Sequence, residues 1–134
     1  MTFGKPRYNS NYEYELLRLC TKPKYSIVGG ANKLFKHFCK NYKPKSIISY
    51  CDLSKFTGKV YSDLGFTKKY ETSPTMVWSK GVQKITNNLL LQRGYDQLFN
   101  TNYGKGTSNE ALMIESGWLP VYDCGQGVYT LNFD

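Results

Sequence analysis

Residues 26 to 42 read SIVGGANKLFKHFCKNY, and no other stretch of the chain places glycines so directly ahead of a helix. Ile27 and Val28 run into Gly29 and Gly30, and the apolar residues that follow, Ala31, Leu34, Phe35, Phe38, Cys39 and Tyr42, recur at helical spacing. The first turn of a helix leaves backbone N–H groups without acceptors at the positive end of the helix dipole, and glycines ahead of it let a phosphate reach the backbone. Val28, Gly29, Gly30, Ala31 and Asn32 are therefore candidate phosphate ligands. The same two glycines would equally serve an ordinary strand-to-helix turn.

The other face of this helix carries Lys33, Lys36, His37 and Lys40, and Lys5, Arg7, Lys43 and Lys45 lie in the flanking segments. Such side chains neutralise phosphates with salt-sensitive, mostly sequence-independent binding, so they are the candidate nucleic-acid contacts. Tyr25, Tyr42, Tyr50 and Phe56 are interleaved among them and suit stacking on unpaired bases. A lysine stripe is also simply the wet face of an amphipathic helix. The distribution of charge bears on the choice: residues 1 to 69 hold 14 Lys/Arg against four acids, and residues 70 to 134 hold four against six. The net charge of +8 is thus regional, which suits a surface facing a polyanion.

Several chemistries are excluded by residue type. His37 is the only histidine, no two of Cys20, Cys39, Cys51 and Cys124 form a C-x-x-C pair, and no zinc set can be assembled from them. The cysteines read as reduced and structural. There is no Ser-His-Asp arrangement and no paired acidic cluster with a catalytic lysine, so neither a hydrolase triad nor a nuclease site is expected. No apolar run approaches the roughly 20 residues of a membrane span, and residues 1 to 4 lack the features of a signal peptide. The expected setting is the cytoplasm, with no membrane partner.

The elements that must position these residues follow from periodicity and punctuation. Strands are expected at 12–20 and 25–28, a helix from Ala31 to Tyr42 ending before Pro44, and a strand at 46–51 buried on both faces. Strand, helix and strand in that order favour a crossover with parallel pairing. A short helix around 57–64 should stop at Gly65, a strand is expected at 75–79, and a helix from Ile85 should end or kink near Gly94. Thr107 and Glu110 form a capping box for a helix stopped by Gly117, and two strands about Cys124–Gly127 should form a closing hairpin. The fold class is α/β to α+β with a mixed sheet. Residues 1–81 are expected to form the core, with 82–134 as a helical and β-hairpin extension packed on the same domain.

The order strand, glycine-led helix, strand, short helix and then Tyr61-Ser62-Asp63-Leu64-Gly65-Phe66 resembles the second half of the GNAT acyltransferase fold. The resemblance implies acetyl-CoA or another CoA-type donor with its pyrophosphate on Val28 to Asn32. The family pattern is Q/R-x-x-G-x-G/A, and Ser26 to Ala31 keeps Gly29 and Ala31 with Ser26 in place of Gln or Arg. It further implies Tyr61 near the thioester as the acid, with Glu15 or Glu13 on the first strand, or Asp52 at a strand end, as the base.

The segments MTFGKPR, YEYELLRLC, VGGANKLFKHF, IISYCD, GKVYSDLGF and YDCG, in that order, cover nearly the whole chain. As a set they are similar to the C-terminal domain of phage homing-endonuclease-like proteins. SYCD followed by a glycine and Tyr61 is also similar to Mom-type phage enzymes, GNAT relatives that modify adenine in DNA. Both imply DNA as a partner, and the expected function is the nucleic-acid-binding accessory module, with an acyl-CoA-dependent N-acyltransferase or Mom-like base-modifying enzyme as the alternative. A full GNAT pattern has further elements ahead of the first residues here, so the resemblance implies a truncated GNAT-like sheet. Its edge near residues 1 to 20 would be covered by a second copy, a partner chain or residues 82–134.

Overall fold

A computed structural model describes residues 1–104 and 106–133. In chain order the elements are β1 (Thr2–Gly4), β2 (Tyr14–Arg18), α1 (Gly30–Tyr42), β3 (Ser46–Asp52), α2 (Lys59–Asp63), β4 (Thr67–Glu71), β5 (Met76–Lys80), β6 (Gln83–Thr86), α3 (Asn87–Phe99), α4 (Asn109–Glu115), β7 (Leu119–Tyr122) and β8 (Gln126–Asn132). The class is mixed α+β, with two sheets and, among the described residues, four helices. The chain divides into two compact units, Met1–Ser73 with Gly125–Asp134, and Pro74–Cys124. The expected boundary at 81/82 falls inside the β5–β6 hairpin, which pairs Lys80 with Gln83. Among the described residues no helix is long and apolar enough to cross a membrane.

The first unit is a five-stranded sheet in the order β1-β2-β3-β8-β4, with β2 and β3 parallel and the other neighbours antiparallel. α1 is the connection between the parallel pair. Its apolar stripe buries Phe35 and Phe38 against Leu16, Ile47, Cys51, Leu64, Phe66 and Tyr129. Truncating a buried phenylalanine of this kind costs about 3–5 kcal/mol, so this face anchors the helix and its glycine lead-in. The helix ends where Lys43 turns left-handed (φ 45°) and donates its N–H to the Cys39 carbonyl at 2.9 Å, one residue before Pro44. Ile47 and Ile48 are both buried, so β3 is covered on its two faces, as its continuous apolarity predicts.

Residues 25–28 form no strand. Ile27 and Val28 are β-branched but exposed, Val28 at 93%, and the strand that precedes α1 in the sheet is β2. β4 escapes the sequence pattern because all five of its residues are exposed, and only its pairing with β8 makes it a strand.

The second unit pairs β6-β5-β7 antiparallel and packs Trp78, Leu90, Tyr95, Leu112, Met113 and Trp118 together. α3 kinks at Gly94 (φ 75°, ψ 165°), where the freed N–H of Tyr95 donates to Asn109 Oδ1 at 2.8 Å. The cap of α4 is Ser108, whose hydroxyl accepts from the Ala111 N–H at 3.1 Å, one residue beyond the expected Thr107. The closing hairpin is also corrected. β7 pairs with β5, whereas β8 pairs with β3 and β4, so the turn at Cys124 and Gly125 carries the chain from one unit to the other.

Candidate cofactor groove

The parallel pair β2 and β3 holds register at Tyr14 with Ile47 and Glu15 with Ile48 only. At the next step the Ser49 hydroxyl donates to the Leu16 carbonyl at 2.8 Å, a side-chain bond where the backbone ladder would continue. Beyond it a groove of about 340 Å³ opens, lined by Leu17, Arg18 and Leu19 on one side and Tyr50, Cys51 and Asp52 on the other, with Val60 and Tyr61 of α2. Strands that stop pairing leave backbone donors and acceptors on their facing edges, which an extended ligand bearing amides can satisfy.

A second cavity of about 240 Å³ is lined by Ile27, Gly29, Gly30, Ala31 and Asn32 with Val60, Asp63 and Leu64. Val60 lines both, so the two adjoin. Gly29 caps α1 in the left-handed region (φ 69°, ψ 6°), with no side-chain cap on the helix and no acid in its first turn. That backbone shape favours glycine, and a Cβ there would meet no atom within 4 Å. Lys33 closes the first helical bond on the Gly29 carbonyl at 3.0 Å and the Gly30 N–H is taken by Ile27 at 3.1 Å. The N–H groups of Ala31 and Asn32 remain as helix-start donors at the positive end of the dipole. An open left-handed glycine beside free donors fits a phosphate group.

Tyr61 sits half-buried in the groove, its ring 5.0 Å from that of Tyr129 and edge-on to Phe66 at 6.0 Å. Burial raises its phenol above the ordinary value, and a hydrogen bond with Ser49 works against that rise. Gly58, ahead of α2, is left-handed (φ 78°), and a side chain there would collide with the Tyr129 ring, so α2 and Tyr61 are seated by this glycine. Asp52 lines the groove as a turn-former. Its carboxylate accepts from the Ser54 hydroxyl and from the Ser54 N–H at 3.0 Å, which lowers its pKa, with Lys55 3.9 Å away. Cys51 is buried in the groove wall, and burial pushes its thiol up.

Glu15 is placed elsewhere. It is fully buried, and both oxygens serve Arg7: Oε2 accepts from the Arg7 N–H at 2.8 Å, and Oε1 from Nε at 2.9 Å and Nη2 at 2.6 Å. The hydrogen bonds that Arg7 donates to Glu15 hold its guanidinium pKa up. The pair clips the segment after β1 onto β2. Glu13 is similarly engaged, accepting from the Lys45 N–H at 2.6 Å. Of the four expected acid–base residues, Tyr61 and Asp52 share the groove and Glu13 and Glu15 do not line it.

The expected polyanion contacts are all on the first unit. Lys5, Lys33, Lys36, Lys40, Lys43 and Lys45 are exposed, whereas Arg7 is matched by Glu15. Counted by unit, the first holds 14 Lys/Arg against six acids and the second four against four, so the net +8 resides entirely in the first. Ser49 and Arg18 were not legible as site residues. The one available signal was a serine within the apolar run Ile47 to Cys51, since a buried hydroxyl in a strand must find a partner. No protein-family model matches the chain, and no curated protein or solved structure matches it either.

Proposed function

We propose that the first unit binds a CoA-type donor, acetyl-CoA or another, and acts as a GNAT-like N-acyltransferase. One observation carries the reading: the groove that opens where β2 and β3 part adjoins the uncapped, glycine-led start of α1. A long ligand with amides along its length and a pyrophosphate at one end matches those two features in that order. When bound, the donor supplies an activated acyl thioester. The residues of the chain then have separable duties. Ala31 and Asn32 offer N–H groups to phosphate oxygens, and the exposed edges of β2 and β3 offer partners to amides. Tyr61 is a protonated phenol at neutral pH, as tyrosine ordinarily is, and burial favours that form further; this suits donation toward a leaving sulfur, and Ser49 orients its hydroxyl. Asp52, held ionised by Ser54, is a weak base and suits orienting a neutral amine. Calorimetric titration with acetyl-CoA tests this directly: saturable heat that survives Tyr61→Phe while turnover falls supports it, and no heat with the wild-type protein refutes it.

A second reading, a DNA-binding accessory module, is favoured by the confinement of the whole net charge to the first unit. On this reading the exposed stripe Lys33, Lys36 and Lys40 tracks phosphates. Lys36→Glu with Lys40→Glu should weaken DNA binding across sequences and flatten its salt dependence, and an unchanged affinity would remove the stripe from the interface.

A further inference from the structure

The five-stranded sheet has one face packed by α1 and α2, to which Leu16, Ile47, Cys51 and Tyr129 belong. The alternation of side chains puts Tyr50, Val128 and Glu15 on the other face. Register aligns Tyr50 with Val128 and Val128 with Tyr70, so two tyrosine positions flank a buried valine across three adjacent strands. Tyr8 adds a third ring, edge-on to Tyr50 at 5.5 Å, and the Arg7 guanidinium lies over the Tyr8 ring at 5.4 Å. Tyr8 is 76% exposed and Tyr70 56%, so these rings present apolar surface to water beside the Arg7–Glu15 pair.

We propose that this tyrosine row, Tyr8, Tyr50 and Tyr70, is a stacking platform for unpaired bases of a nucleic-acid strand. The inference rests on the nucleic-acid reading above, and locates the contact on the sheet face rather than on the lysine stripe of α1. The charge of the first unit supplies attraction for the backbone, and the rings supply the flat apolar surfaces that every base can stack on. Tyr50 and Tyr70 are two strand spacings apart, on the order of 10 Å, so they meet different bases. The Glu15 clamp on Arg7 fixes Tyr8 from its own backbone neighbour, which lowers the ordering cost on binding.

The test is fluorescence anisotropy with a labelled single-stranded DNA of about 12 nucleotides, a length within the range of known stacking sites. Tyr8→Ala and Tyr70→Ala should each weaken binding by about 5-fold to 100-fold with the slope against log salt unchanged, because no charge is removed. Tyr8→Phe should bind as the wild type, and the fluorescence of Tyr8→Trp should be quenched on binding, a signature independent of whether the alanine variants fold well. Wild-type affinity in both alanine variants, with binding lost in Lys36→Glu plus Lys40→Glu, overturns the platform and keeps the nucleic-acid reading. No binding by the wild-type protein overturns both.

Discussion

Asn32→Asp separates a ligand-binding helix start from a structural one, because the two roles give opposite signs. Asn32 is exposed in the first turn of α1, a turn that has neither a side-chain cap nor an acid. A carboxylate there is ionised at pH 7 and meets the positive end of the dipole, which should stabilise the first unit by about 0.3–1 kcal/mol. If Ala31 and Asn32 serve a pyrophosphate, the same carboxylate repels it. At a separation of about 6 Å one phosphate charge is repelled by ~0.7 kcal/mol at the dielectric of water and ~2.8 kcal/mol at an effective value of 20. Acetyl-CoA should therefore bind about 3-fold to 100-fold more weakly to the more stable protein. The loss should shrink as salt is raised past 0.1 M, where the screening length is about 10 Å. Urea denaturation reads the first effect and titration calorimetry the second, with Asn32→Ala as the uncharged control. Equal affinity in the aspartate and wild-type proteins, or equal losses in the aspartate and alanine variants, would refute the phosphate assignment.

Ser49→Ala should lower stability by about 1–3 kcal/mol in urea, since the Leu16 carbonyl loses its buried donor, a larger effect than exposed serine substitutions give. Gly125→Ala should also destabilise strongly, because the site is left-handed (φ 77°) and its Cβ would collide with the Thr72 carbonyl; a stability within 0.5 kcal/mol of wild type, about the range of neutral surface changes, would contradict this. The Ser54 hydroxyl and N–H depress the pKa of Asp52 in the folded state, so its contribution is present above the unfolded value near 3.9 and is lost as pH falls through the lower folded value. Ser54→Ala should accordingly be less stable than wild type in urea at neutral pH, with the difference vanishing as pH falls through that acidic window, and a difference persisting unchanged below it would assign the effect to something other than Asp52.

Local features of this chain were legible because local physics decides them. The apolar stripe of α1, the burial of β3 on both faces, the stop at Gly65 and the kink at Gly94 each depend on residues within a few positions of one another or on one glycine's φ. The Gly29–Asn32 helix start was readable for the same reason. Three features were decided by partners distant in the chain. β7 and β8 share one hairpin-like pattern, yet β7 finds β5 and β8 finds β3 and β4, because strand pairing is chosen by which edges remain open. Glu15 is spent on Arg7 by a clamp that neither residue's spacing announces. The groove opens where the β2–β3 ladder stops, at a bond from Ser49 to the Leu16 carbonyl 33 residues away. Sequence by itself determined the helices, the regional charge and the glycine lead-in; tertiary pairing alone decided that a groove opens beside them, since a gap between strands is a property of two segments and is written in neither.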